Sequence, residues 1–197
     1  MVSSIEDLVL NLGVFGQASL AILAISMLVD MSLSKRYRAG DGTLDHRSCT
    51  HLIVSLTSFF VVLLSTWSLD LGLVAMPLWL QSLGFGLVIG GTVLRYAAIS
   101  QLGELFTWQV AILDTHELKT DGLYRWMRHP SYTGGLLAIV GAALVFQSAI
   151  ALVMAALIHA PVVMRRVRLE EIALRLHFGA HFEAYAGRTS RLVPFVY

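Results

Sequence analysis

Five apolar runs separated by short polar stretches dominate the chain, at residues 8–29, 51–69, 78–99, 131–147 and 149–164. A membrane-crossing helix needs about 20 apolar residues, or about 17 when flanking groups snorkel, so the pattern predicts an all-α bundle of five transmembrane helices. The last two runs are short and separated only by Gln147 and Ser148. That spacing predicts a tight helical hairpin, with one long kinked helix as the alternative. Gly84, Gly86, Gly90 and Gly91 in the third run, and Gly134, Gly135 and Gly141 in the fourth, supply small faces on which helices can approach closely. Glu6 and Asp7 precede the first run where a signal peptide would carry basic residues, so this run is expected to be retained. With no internal repeat, linker or low-complexity tract, residues 1–197 read as a single membrane domain.

Charge placement orients the spans. Lys35, Arg36, Arg38 and Arg47 fill the first loop, and Lys119, Arg125 and Arg128 the third. Arg165, Arg166, Arg168, Arg175, Arg188 and Arg191 follow the fifth run, while the second loop around Asp70 has no basic residue. With five spans these clusters fall on one face, and the positive-inside rule predicts an outside N-terminus and a cytoplasmic C-terminal segment at 165–197. The membrane would be the inner membrane of a bacterial cell or the endoplasmic reticulum of a eukaryotic one. Residues 100–129 read as an interfacial loop with a short helical or hairpin portion and a turn at Thr120-Asp121-Gly122. After the fifth run, apolar positions interleaved with charges predict that the helix continues into the cytoplasm. A break at Gly179 and a C-terminal amphipathic helix should follow, and residues 191–197 could dock back as a plug or strap.

Composition agrees and excludes several classes. The 197 residues are 56% hydrophobic and 14% charged, too apolar for an ordinary soluble fold. The net charge of +1 is segregated along the chain and forms no stripe, which argues against a nucleic-acid partner. Cys49 is the sole cysteine, so no internal disulfide or cysteine-based zinc site can form. Of the seven histidines only His177 and His181 have helical i,i+4 spacing; Gly179 lies between them and no metal site is expected. Glycine-rich nucleotide loops and the hydrolase elbow are absent, and a soluble doubly wound methyltransferase lacks the strands it would need.

Chemistry concentrates in Gly122-Leu-Tyr124-Arg-Trp-Met-Arg128-His129-Pro130-Ser-Tyr132-Thr-Gly134. Pro130 cannot donate a backbone hydrogen bond and biases His129 away from helical angles, so a helix should start at Pro130. Open first-turn amides beside His129 suit a bound carboxylate or phosphate; juxtamembrane anchoring is the alternative. Arg95 lies inside the third run, where a charge costs about 2.5 to 3.5 kcal/mol on insertion scales. It could hold an anion within the bundle, snorkel, or pair with Glu104 or Glu171. Glu170 and Glu171 offer i,i+4 pairs with Arg166 and Arg175, which a solvated helix face would also show.

These motifs form an ordered series. Leu94-Arg95-Tyr96-Ala97-Ala98, Gln109, Asp114-Thr-His116-Glu-Leu118-Lys-Thr120, Gly122-Leu-Tyr124, Arg128-His-Pro-Ser-Tyr132-Thr-Gly134, and Glu170-Glu171 with Phe178-Gly179 and Tyr185 resemble the isoprenylcysteine carboxyl methyltransferase family. The resemblance runs from about Leu94 to the C-terminus, and Arg-His-Pro-Ser-Tyr with a downstream Glu-Glu also occurs in other integral membrane methyltransferases. It implies an S-adenosylmethionine-dependent enzyme with a cytoplasmic cofactor pocket and a lipophilic methyl acceptor arriving from the bilayer lipid. Carried over, Gln109, His116, Tyr124, His129, Pro130, Tyr132 and Glu171 would surround the cofactor, and Arg95 and Arg166 would act on the acceptor carboxylate. Val167 departs from the family, which often has a polar or acidic residue there. Methylation of another lipid or small hydrophobic acceptor, including phospholipid N-methylation, and a non-enzymatic anion-handling membrane protein are the other readings.

Overall fold

The computed structural model describes residues 13–36, 43–71, 73–106, 110–111 and 117–194. The architecture is the expected all-α membrane bundle. Its helices are α1 (Val14–Arg36), α2 (His46–Ser68), α3 (Leu78–Leu102), α4 (Pro130–Val145), α5 (Ala149–Phe178) and α6 (Ala180–Ala186). By length and composition α1, α2, α3 and α5 can each cross a membrane, and α4 is a shorter apolar helix. Much of the outer surface is apolar, with Ile25, Leu28, Val61, Val93 and Leu157 exposed. Lipid is no less apolar than these side chains, whereas backbone groups must be satisfied internally, so helices with greasy outer faces are the stable solution.

Helix limits depart from the apolar runs in informative ways. The first run stops at residue 29 because a charge follows, yet α1 continues through Asp30 to Arg36. The fifth run ends at residue 164, while α5 continues through the arginine-rich stretch to Phe178 and breaks at Gly179, whose φ of 51° suits glycine. Backbone bonding propagates past the point where side chains become polar; hydropathy sees only the side chains. A wider π-type turn at Ala155–His159 precedes Pro161, which has no N–H to return to the helix ladder. Two short strands, β1 (Thr43–Asp45) and β2 (Val110–Ala111), pair antiparallel and tie the first loop to the third.

The α3–α4 contact is set by glycine. A Cβ on Gly91 would lie 2.5 Å from the carbonyl oxygen of Gly134, and one on Gly141 would lie 2.5 Å from that of Gly84. Two glycines seven residues apart on each of two antiparallel helices thus meet partner to partner, and the backbones touch. Packing is therefore their role, as it is for Gly134 against the Arg95 backbone. Gly86 and Gly90 face open space instead. Around this seam Phe59, Leu63, Val88, Ala142, Ala143, Phe146 and Ala151 form the core.

The predicted hairpin between α4 and α5 is present. Gln147 takes a positive φ of 55°, and the Ser148 side chain caps α5 by accepting from the Ala151 amide at 3.1 Å. Thr66 of α2 reaches the same hydroxyl at 2.9 Å, and Gln147 accepts from the amides of Val74 and Met76. The polar tip is satisfied within the protein.

Candidate functional site

The start of α4 is held from three sides. A short 3-10 turn at Gly122–Arg125 is pinned to the end of α3, where the Leu123 amide donates to Gln101 Oε1 at 2.9 Å and the Tyr124 hydroxyl to the Ala98 carbonyl at 3.3 Å. From α6 the Tyr185 hydroxyl donates to the Tyr124 carbonyl at 2.7 Å. His129 then takes φ −129° and ψ 57°, and α4 begins at Pro130 as expected. Burial raises the pKa of both Tyr124 and Tyr185 above the ordinary phenol value, so these phenols stay protonated hydrogen-bond donors at neutral pH.

The third side is the C-terminal strap. Arg128 and His129 donate their amides to the carbonyls of Ser190 and Arg191 at 2.8 and 3.1 Å. Thr133 Oγ1 donates to the Leu192 carbonyl at 2.8 Å, and Leu192 is buried. The tail therefore docks back, at least over residues 190–192; residues 195–197 lie outside the described region.

Glu171 sits at the centre, only 1% exposed. Arg128 Nε donates to Oε1 at 2.9 Å, and Arg191 Nη2 donates to Oε2 at 2.9 Å. His129, 3% exposed, places Nε2 at 3.4 Å from Oε1 without hydrogen-bond alignment. The expected Glu171–Arg175 helical pair is not formed, because Glu171 points into the protein and Arg175 pairs with Glu183 at 2.6 Å. One turn back, Arg166 and Glu170 meet through Tyr132. Arg166 Nε donates to the Tyr132 hydroxyl at 2.7 Å, which donates to Glu170 Oε2 at 2.9 Å. Arg166 is 4% exposed, and Val167 beside it is fully buried in apolar packing with Val163 and Leu192.

Arg95 approaches the same helix start from α3. Its Nη1 reaches the Ser131 carbonyl at 3.5 Å, while Nη2 lies 3.0 Å from Asp30 Oδ2 and 3.2 Å from Oδ1. Of the alternatives to an anion-holding role, the pairing with Glu104 or Glu171 is corrected here, since the protein partner is a carboxylate of α1. Tyr96 supports it, donating to the Ser26 carbonyl at 2.7 Å and lying 3.3 Å from Asp30 Oδ1.

Of the residues singled out in the sequence, Tyr124, His129, Pro130, Tyr132, Arg166 and Glu171 come together, and Arg95 flanks them across the first turn of α4. Gln109 and His116 lie outside the described residues. Sequence reasoning missed Asp30, Arg128 and Arg191 as partners. Asp30 had a signal, as the one acidic residue of α1. Arg191 had none, because only the fold returns the tail to Glu171. Among the described residues no cluster of three metal-ligating side chains occurs.

Comparison with known proteins bears on this arrangement. Residues 83–176 match the model of the isoprenylcysteine carboxyl methyltransferase (ICMT) family. Protein-S-isoprenylcysteine O-methyltransferase B of Arabidopsis thaliana is 35% identical over 120 residues, covering 60% of this chain and 61% of that protein. A probable protein-S-isoprenylcysteine O-methyltransferase of Oryza sativa subsp. indica is 36% identical over 121 residues, covering 60% and 63%. The human protein-S-isoprenylcysteine O-methyltransferase is 35% identical over 120 residues, 60% of this chain and 42% of that protein. The matched region thus spans under two thirds of each relative. The solved structure of the eukaryotic intramembrane Ras methyltransferase ICMT superposes with a TM-score of 0.57 at 26% identity, covering 78% of this chain and 55% of that one.

Proposed function

We propose, because residues 83–176 match the model of the isoprenylcysteine carboxyl methyltransferase family, that this chain is an integral membrane S-adenosylmethionine-dependent methyltransferase. Its acceptor would be the carboxylate of an isoprenylcysteine or a similar lipophilic acid. The observation that carries this reading is the convergence of two arginines from different helices on the first turn of α4, Arg95 at Ser131 and Arg166 at Tyr132.

The residues present fit such a cofactor. The buried His129 Nε2 has no aligned hydrogen-bond partner, and both signs of charge stand within one turn of it. A zwitterionic amino-acid end needs both. Tyr124, His129, Pro130, Tyr132 and Glu171 would hold S-adenosylmethionine, joined by Gln109 and His116. When bound, the cofactor supplies an electrophilic methyl group. Glu171 fixes Arg128 and Arg191 beside His129, and its contact with the cofactor ammonium would come by exchange with Arg191, the more exposed of the two.

Arg95 and Arg166 would orient the acceptor oxygen. A carboxylate is already ionised at neutral pH, so the chain needs no general base, and position and dehydration supply the rate advantage. Guanidinium forks match carboxylate geometry and give an amine acceptor little, which favours an acid over a phospholipid amine. The acceptor would enter from the bilayer and the cofactor from the cytoplasm, with the C-terminus on the cytoplasmic side.

The test is transfer of labelled methyl by detergent-solubilised protein to farnesylcysteine, other prenyl acids and phosphatidylethanolamine. A base-labile labelled ester on a prenyl acid is expected. Label on phosphatidylethanolamine would replace the acceptor class, and failure to bind S-adenosylmethionine would leave the anion-handling reading.

A further inference from the structure

Asp30 already does to Arg95 what an acceptor carboxylate would have to do. Its two oxygens lie 3.0 and 3.2 Å from one guanidinium nitrogen, Nη2, so the contact is not the paired fork in which two nitrogens serve two oxygens. The other described contact of the guanidinium is the long one from Nη1 to the Ser131 carbonyl. Side-chain exposures of 19% for Arg95 and 18% for Asp30 leave the pair accessible, so exchanging one carboxylate for another does not require a bare charge in a dry interior.

The surroundings permit that exchange. On α4 a Cβ at Gly135 would meet only Arg95 Nη1, at 3.9 Å, which leaves room beside the guanidinium. Tyr96 keeps its bond to the Ser26 carbonyl when Asp30 moves, so withdrawal of Asp30 strands no phenol. Arg95 keeps its tether to Ser131 and stays aimed at the start of α4.

We propose that Asp30 is a resident carboxylate at the acceptor position of Arg95, displaced only by the carboxylate of a lipophilic acid, and that it thereby sets the specificity of the site. The inference rests on the methyltransferase reading above. A neutral or zwitterionic lipid would have to break the ion pair with nothing to replace it. A lipophilic acid replaces it charge for charge, and the bundle never holds Arg95 unpaired. The resident state reduces apparent acceptor affinity by the fraction of molecules it occupies.

The experiment compares wild type, Asp30→Asn and Asp30→Glu in detergent, with farnesylcysteine as acceptor, its carboxamide as a binding-only probe, and cofactor affinity as the measure of a folded site. Competition moves KM and leaves kcat unchanged. Asp30→Asn should lower the farnesylcysteine KM roughly fivefold. Its affinity for S-adenosylmethionine should stay where it was, and the carboxamide, which in wild type has to break the ion pair, should bind more tightly as well. Asp30→Glu, with reach enough for the paired fork, should raise KM at constant kcat; it carries the test by itself if Asp30→Asn does not fold. A higher KM or lower kcat in Asp30→Asn makes Asp30 a brace for Arg95 and overturns the proposal. An unchanged KM in either folded variant overturns it too. Those results leave the methyltransferase reading standing, whereas a wild type that neither binds nor methylates any prenyl acid removes that reading and the proposal together.

Discussion

The Tyr132 hydroxyl stands between Arg166 and Glu170, accepting from Nε at 2.7 Å and donating to Oε2 at 2.9 Å. The direction is forced, because a guanidinium cannot accept a hydrogen bond and a carboxylate cannot donate one. Tyr132→Phe removes both bonds without changing ring packing. Hydrogen bonds to charged groups contribute about 1.5 to 3 kcal/mol, so kcat/KM for the acceptor should fall about 10- to 100-fold. Steady-state kinetics on folded protein checks this, and wild-type kinetics would show that Arg166 needs no such brace.

Glu171→Gln should cost stability as well as cofactor affinity. The substitution leaves Arg128 and Arg191 without their carboxylate, and breaking a buried ion pair by removing one partner costs about 3 to 5 kcal/mol. Hydrogen exchange at the Arg128 and His129 amides, which bond the strap carbonyls, should accelerate together with a lower thermal midpoint. Calorimetry supplies the other half: unchanged cofactor affinity in the folded variant removes Glu171 from the cofactor site.

Gly134 on the α3–α4 seam and Gly90 off it should respond oppositely to alanine. A Cβ on Gly134 would lie 2.5 Å from Gly91 O and 2.6 Å from the Arg95 amide nitrogen, both backbone atoms that cannot step aside. Gly134→Ala should therefore destabilise by about 1 to 3 kcal/mol, the range for overpacking. Gly90 has nothing within 4 Å, so Gly90→Ala should be neutral or mildly stabilising through helix propensity. Thermal unfolding in one detergent compares them, and equal effects would contradict the backbone contact.

Acceptor tail length should control transfer if the acceptor comes from lipid. Each buried CH₂ contributes about 0.8 kcal/mol, so loss of one five-carbon prenyl unit should reduce transfer efficiency by orders of magnitude after correction for detergent partitioning. A flat response across farnesyl, geranyl and shorter thioethers would move the acceptor to a soluble acid.

Much of this architecture was legible because the membrane makes patterns blunt. Among the described residues, apolar runs located each helix long and apolar enough to cross, Pro130 located the start of α4, and Gly179 located the end of α5. Partnerships were less legible where they depend on distant chain. Hydropathy put Asp30 outside the first span, and so hid the carboxylate that meets Arg95 from α1. Helical spacing suggested Arg175 for Glu171, but burial of that face gave the carboxylate to Arg128 and Arg191. Spacing within one helix describes what side chains can do in water. Once a face turns inward, the neighbours that fold brings decide.

The shortness of α4 also has a consequence for the bilayer itself. Its 16 residues rise about 24 Å, against a hydrocarbon layer of about 30 Å. A polar turn at one end and the closed hairpin tip at the other cannot both sit at the headgroup planes of an unperturbed membrane. No residue of α4 is exposed, so the surrounding helices take up much of that shortfall, and where lipid meets its ends each ångström of mismatch costs a fraction of a kcal/mol. Because the tip is sealed by its own hydrogen bonds, it can sink below the headgroups at less cost than the charged Arg128–Tyr132 end, where any thinning would bring water and lipid tails within a short step of each other. Thinner membranes would host this protein with less deformation than sterol-thickened ones.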